Sequence, residues 1–141
     1  MIEIIILTHG NLAKEFENTV KLFVSTERLK TFTLNPNDSL EEFKNGIENI
    51  LFHGDGNDTL VLVDLFGGTP FNTVVKLCNE KNPGNKRIEI LTGVNLSMVL
   101  EAMLHSEAMP LEEVKRIAME AGKKGIRDFY TELNKQEGEK T

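Results

Sequence analysis

Two apolar patterns take turns along the chain. The first is a short, nearly continuous run: Ile2 to Leu7, interrupted only by Glu3 and leading into Thr8-His9-Gly10, and Thr59 to Val63 leading into Asp64. An extended segment that is apolar at consecutive positions must have both faces covered, so these two runs predict central strands. The second is a spacing of three and four, in Leu12, Phe16, Val20 and Phe23 and again in Phe43, Ile47, Ile50 and Leu51. Each set marks a helix with one buried face. LKTFTL at 29–34 and RIEIL at 87–91 read as two further strands, less apolar than the first pair.

Local signals set the boundaries. Asn11 or Gly10 is placed to cap the first helix, and Ser39 with Glu42 forms a capping box for the second. Thr69 is a candidate cap and Pro70 suits the first helical position of a helix running to about Lys81, closed by NPGN. Asn95 caps a fourth helix carrying Leu96, Val99, Leu100, Met103 and Leu104. From Pro110 the spacing of Val114, Ile117 and Ala121 predicts another helix, broken by GKKG at 122–125. GIRDFYTEL (125–133) reads either as a last helical turn or as an extended arm that pairs with another strand. NPND and GDGND at 54–58 are turns, and the polar NKQEGEKT is a frayed end. The expected organisation is one domain over 1–134 and a polar tail over 135–141.

Strand and helix alternate four times, which predicts an α/β fold with a mostly parallel sheet and helices on both faces. With the two most apolar strands central, the order 2-1-3-4 follows, a flavodoxin-like arrangement. Ligands of such sheets bind beyond the carboxyl ends of the strands where the winding reverses, here between the first and third strands. His9 ends the first and Asp64 the third, so both are expected on one edge.

Charge and composition remove several alternatives. The 141 residues carry a net charge of −6 without a basic cluster, which argues against nucleic acid as a partner. No apolar run approaches a membrane span, and the N-terminal run lacks the basic start and cleavage site of a signal peptide. The single Cys78 excludes an intrachain disulfide and suits a cytoplasmic protein; its place in VVKLCNE reads as a buried, inert thiol. His53 and His105 fall at helix ends and read as solvated, and Met98 and Met103 read as core. The scattered histidines predict no metal site.

An imidazole beside a carboxylate is oriented by it, leaving the other ring nitrogen free as a nucleophile. Gly67-Gly68-Thr69 adds backbone N–H groups at a helix N-terminus, where an anion is favoured, and a hydroxyl. Together they point to phosphoryl chemistry on a histidine. Phe66 reads as an exposed docking residue or as a core phenylalanine; the residues leave both open. There is no Walker lysine, GxGxxG, HExxH or GxSxG.

These residues carry a resemblance. Thr8-His9-Gly10 matches a T-H-G motif, Asp64 to Asn72 matches D-x-x-G-G-[ST]-P-F-N, and Gly93 to Met98 matches G-V-N-[LI]-x-M. In that order, over essentially the whole chain, they resemble the IIA component of the mannose-type (mannose/fructose/sorbose) bacterial sugar phosphotransferase system. The resemblance implies that His9 is phosphorylated on Nε2 by phospho-HPr and passes the group to a IIB component, without a cofactor. The membrane components IIC and IID would be reached only through IIB. It implies that Asp64 orients His9, that Gly67, Gly68 and Thr69 hold the phosphoryl group, and that the protein is a cytoplasmic homodimer. In such a dimer a C-terminal antiparallel strand, here GIRDFYTEL, would be exchanged between subunits.

Because the sequence stops without a linker, a free-standing IIA is expected. Three other readings stand beside it: a regulatory IIA-like module, the phosphoryl-carrying subunit of dihydroxyacetone kinase, and a flavin or nucleotide binder. The unbroken DLFGGTPFN favours the sugar branch over the kinase subunit. The lack of Trp and the LTHGN loop disfavour the flavin.

Overall fold

The computed structural model describes residues 1–54 and 56–139. Asp55 of the predicted 54–58 turn and residues 140–141 of the predicted tail lie outside them. The elements in chain order are β1 (Glu3–His9), α1 (Leu12–Val20), β2 (Leu29–Leu34), α2 (Leu40–Phe52), β3 (Thr59–Val63), α3 (Thr69–Lys81), β4 (Ile88–Thr92), α4 (Leu96–His105), α5 (Leu111–Lys124) and α6 (Phe129–Glu139). The sheet is β2-β1-β3-β4, and every pairing is parallel. This is the flavodoxin-like arrangement that the apolar runs predict, with β1 and β3 inside.

Successive residues of a strand face opposite ways, so one continuous run feeds two cores. Ile4 and Ile6 of β1 and Leu60 and Leu62 of β3 pack under α1, α4 and α5. Ile5, Leu7, Val61 and Val63 pack on the other face under α2 and α3. Burying one such side chain contributes about 1.5–3 kcal/mol, which is why Ile4 to Leu7 of β1 and Leu60 to Val63 of β3 are apolar throughout. The exception proves local: Glu3, buried at the start of β1, lies 2.9 Å from Nζ of Lys30 on β2.

Several caps differ from expectation. Ser39 Oγ accepts the Glu42 N–H as predicted, and Asn95 Oδ1 accepts that of Met98. At α1, however, the Asn11 side chain makes no cap bond; the buried Thr8 hydroxyl accepts the Ala13 N–H at 2.8 Å instead. The cap of α3 is Gly68, and Thr69 is its first helical residue. Phe23 lies beyond the end of α1 and is exposed, as is Leu12, so the buried residues of that helix are Ala13 and Val20.

The C-terminal region departs most. GKKG does not break α5, which runs through Lys124, with Leu111, Val114, Ala118 and Gly122 as its buried stripe. The expected stripe of Val114, Ile117 and Ala121 shared only Val114. Gly122 is there for space: a Cβ on it would lie 2.9 Å from Cε of Met98. The exchanged antiparallel strand is not seen, and the described residues contain no fifth strand. Residues 129–139 are helix instead. A segment with no neighbouring strand satisfies its backbone internally, and Asp128 caps this one by accepting both the N–H and the hydroxyl of Thr131 at 2.8 Å. Lys135 to Glu139 of the expected polar tail therefore belong to α6.

Candidate functional site

The parallel register sets Leu7 opposite Val63, so the chain leaves β1 and β3 at the same edge, one carrying His9 and the other Asp64. The turn after His9 is made by Gly10, whose φ of +58° few side chains adopt, and whose N–H donates to the Leu34 carbonyl at 2.7 Å. Asp64 Oδ2 accepts from the His9 backbone N–H and meets His9 Nδ1, each at 2.9 Å. Oδ1 accepts the Leu65 N–H at 2.9 Å. The carboxylate is thus gripped by backbone on both sides, and its side chain is 11% exposed against 43% for the imidazole.

A carboxylate only accepts, so the ring nitrogen facing it carries the proton. In the neutral ring Nε2 then holds the lone pair, and the exposed side of the imidazole is its nucleophilic side. That side faces Gly68: a Cβ there would lie 2.8 Å from His9 Cε1 and 3.4 Å from Nε2. The neighbouring Gly67 is needed for another reason, its φ of +82°. The loop is tied to α3 by Asn72, whose Nδ2 donates to the Gly67 carbonyl and whose N–H donates to that of Gly68, both at 2.9 Å.

The first turn of a helix leaves its N–H groups without intrahelical partners, here those of Gly68, Thr69 and Phe71, since Pro70 has none. Such N–H groups at a helix N-terminus favour an anion; Gly68, the first of them, faces Nε2, and Thr69 next to it is exposed.

Phe66 is 80% exposed, its ring 4.7 Å from that of Phe71, so the core reading of this residue is excluded. Phe71, Ile90, Met98, Met119 and Ile126 join Phe66 around a groove of about 320 Å³. On the other side of His9, Leu34, Pro36 and Leu40 line a hollow of about 470 Å³. The imidazole therefore stands between two apolar rims.

Sequence reasoning named His9, Asp64, Gly67, Gly68 and Thr69, and all five converge here. It passed over Thr8, Asn72 and Gly93, although each stood inside a quoted motif; Thr8 and Asn72 bond to residues four or five positions away, and only the Gly93 bond to Asp64 joins segments distant in the chain. His53 caps the C-terminus of α2 and His105 ends α4, 3.3 Å from Glu101, so both stand at helix ends. Among the described residues no group of three or more His, Cys, Asp or Glu is placed to hold a metal ion, and no helix is long and apolar enough to cross a membrane. Burial pushes the Cys78 thiol up from its ordinary value.

Comparison with known proteins settles the family. Residues 3–119 match the EIIA-man family, described as PTS system fructose IIA component. The chain belongs to this family. Among its relatives is the sorbose-specific EIIA component of Lacticaseibacillus casei, 26% identical over 113 residues, 79% of each chain. The mannose-specific EIIAB component of Escherichia coli is 27% identical over 129 residues, 89% of this chain and 39% of that longer one. Among solved structures, the phosphotransferase system component EIIA from Streptococcus agalactiae has a TM-score of 0.81 at 31% identity, covering 93% of this chain and 99% of the other. This EIIA chain is thus a mannose-family component of a sugar phosphotransferase system.

Proposed function

We propose that the protein carries a phosphoryl group on His9 Nε2, taking it from phospho-HPr and giving it to a IIB component. The observation that carries this reading is the 2.9 Å contact between Asp64 Oδ2 and His9 Nδ1, which leaves Nε2 unprotonated beside the Gly68 amide cradle. Neutral His9 attacks phosphorus in line. The Nε2–P bond forms as the N–P bond of the donor's phosphohistidine breaks, and that electron pair returns to the donor ring. The positive charge that develops on His9 is stabilised by Asp64, while the amides at Gly68 and Thr69, presented by the turn at Gly67, hold the equatorial oxygens. The reverse geometry serves delivery to IIB, so the cradle must hold the group only moderately.

Phe66, exposed on the rim, is a docking contact for these partners. The carrier acts in the cytoplasm as a homodimer and meets the membrane components IIC and IID only through IIB.

Incubation with phosphoenolpyruvate, enzyme I and HPr tests the reading. Wild type gains acid-labile phosphate, about +80 Da, and His9→Ala gains none. Asp64→Ala is labelled on the order of a hundredfold more slowly with its fold retained, because the ring is no longer aimed. An unlabelled wild type, or a labelled His9→Ala, sinks the proposal.

A further inference from the structure

The segment Gly93 to Met98 takes no part in the chemistry above, yet it is bonded to Asp64. Gly93 has φ of +73°, and this left-handed turn brings its N–H to the Asp64 carbonyl at 3.2 Å. Val94 N–H reaches the Val63 carbonyl at 3.1 Å. The other backbone bond of Asp64, from its N–H to the Leu7 carbonyl, is longer at 3.4 Å. Where the chain leaves β3, the Gly93 amide is therefore the closer of the two backbone supports under the carboxylate.

The far end of the turn is anchored by a different element. Asn95 Oδ1 accepts the Met98 N–H at 3.0 Å, and Nδ2 donates to the Gly122 carbonyl at 2.9 Å. That carbonyl belongs to the last turn of α5, where carbonyls lack intrahelical donors; the Ile126 N–H, which would reach it in a longer helix, donates to Lys123 instead. Two glycines let α5 come so close. A Cβ on Gly125 would lie 2.6 Å from Ser97 Oγ, as one on Gly122 would press on Met98. The turn is consequently held between β3 and α5, by the Gly93 and Val94 N–H groups at one end and by the Asn95 side-chain amide at the other.

We propose that Asn95 is a positioning residue for His9. By tying the 93–95 turn to the Gly122 carbonyl, it keeps the Gly93 N–H on Asp64 and so keeps the Asp64 carboxylate aimed at Nδ1. The assignment deepens the phosphoryl-carrier reading and rests on it for its consequence in rate, but its geometric content is testable without phosphate.

Asn95→Ser retains an oxygen for the Met98 N–H and is too short to reach Gly122. The ¹⁵N shifts of the two His9 ring nitrogens, recorded on unphosphorylated protein with the ring neutral, report which nitrogen holds the proton. Wild type is expected to hold it on Nδ1, and Asn95→Ser to move towards a mixture of the two tautomers. Labelling by phospho-HPr at saturation should fall about tenfold or more, with the half-saturating concentration unchanged, as misaimed groups behave. Asn95→Asp, which keeps the cap and replaces the donor with an acceptor, should behave like the serine variant and decides the matter if that variant does not fold. Wild-type ring shifts and rate in the folded variant overturn the proposal. A wild type that accepts no phosphate ends the carrier reading instead, and the ring shifts alone then decide whether Asn95 positions His9.

Discussion

A methyl group on Gly68 would stand 2.8 Å from Cε1 of His9, closer than a Cβ comes to a ring carbon in practice. Gly68 itself has φ of −75°, a value any residue adopts, so the cost of Gly68→Ala falls on the imidazole and not on the backbone. The ring must leave either Asp64 or the α3 amides. Gly68→Ala is expected to keep its thermal midpoint and to lose phosphate uptake on the order of a hundredfold; normal uptake would mean that the ring has room the geometry denies it. Gly67 differs although it is the next residue. Its φ of +82° leaves any side chain strained, so a substitution there acts on the loop first.

At the scale of the element, the helical glycines Gly46 and Gly122 mark contacts, whereas Gly138 faces open space. Gly46 in α2 would, as alanine, drive a Cβ into the ring of Phe32 on β2. Alanine favours a helix over glycine by about 1 kcal/mol, whereas overpacking costs about 1–3 kcal/mol. Gly46→Ala is therefore expected to lower the stability read by urea denaturation, and an increase would show that Phe32 moves aside freely.

The start of α6 depends on charge. The Thr131 N–H, and after it the Thr131 hydroxyl, hold the Asp128 carboxyl below its usual range. A depressed folded value means the cap contributes fully above the unfolded value and is lost as pH falls through the folded one. Protection of the Thr131 to Leu133 amides against exchange, taken relative to the unstructured chain at the same pH, should fall on acidification through and below the carboxylate range. In Asp128→Ala that protection should already be low at neutral pH, and protection indifferent to both changes would contradict the cap.

For the whole molecule, the C-terminal segment leaves Ile126, Phe129, Tyr130 and Leu133 exposed, apolar residues at helical spacing that the chain's own core does not cover. A contiguous exposed stripe of this kind marks an interaction surface. It continues from the groove that Ile126 helps to line and offers the proposed homodimer a seam without any exchanged strand. Light scattering is expected to give twice the mass of 15.9 kDa, and joint substitution of Phe129, Tyr130 and Leu133 by serine to halve it with the circular dichroism retained. A wild-type monomer at micromolar concentration would refute the dimer.

The alternation of apolar runs with helical spacings determined by itself the element order, the two central strands and the emergence of His9 and Asp64 on one edge. These follow from short-range rules, the period of each element and the hand of parallel crossovers, which a single sequence contains. The D-x-x-G-G run likewise announced a cradle, because glycines before a helix start expose amides wherever they occur. Other features needed the folded chain. Gly122 reads as a helix breaker until Met98 is seen against it, and Asn11 reads as a cap until Thr8, across the turn, is found in its place. The free nitrogen of His9 is decided by a carboxylate 55 residues away. A glycine looks the same in sequence whether it supplies a turn or makes room for a neighbour. Only contacts between residues remote in the chain tell those uses apart, and only such contacts aim a ring.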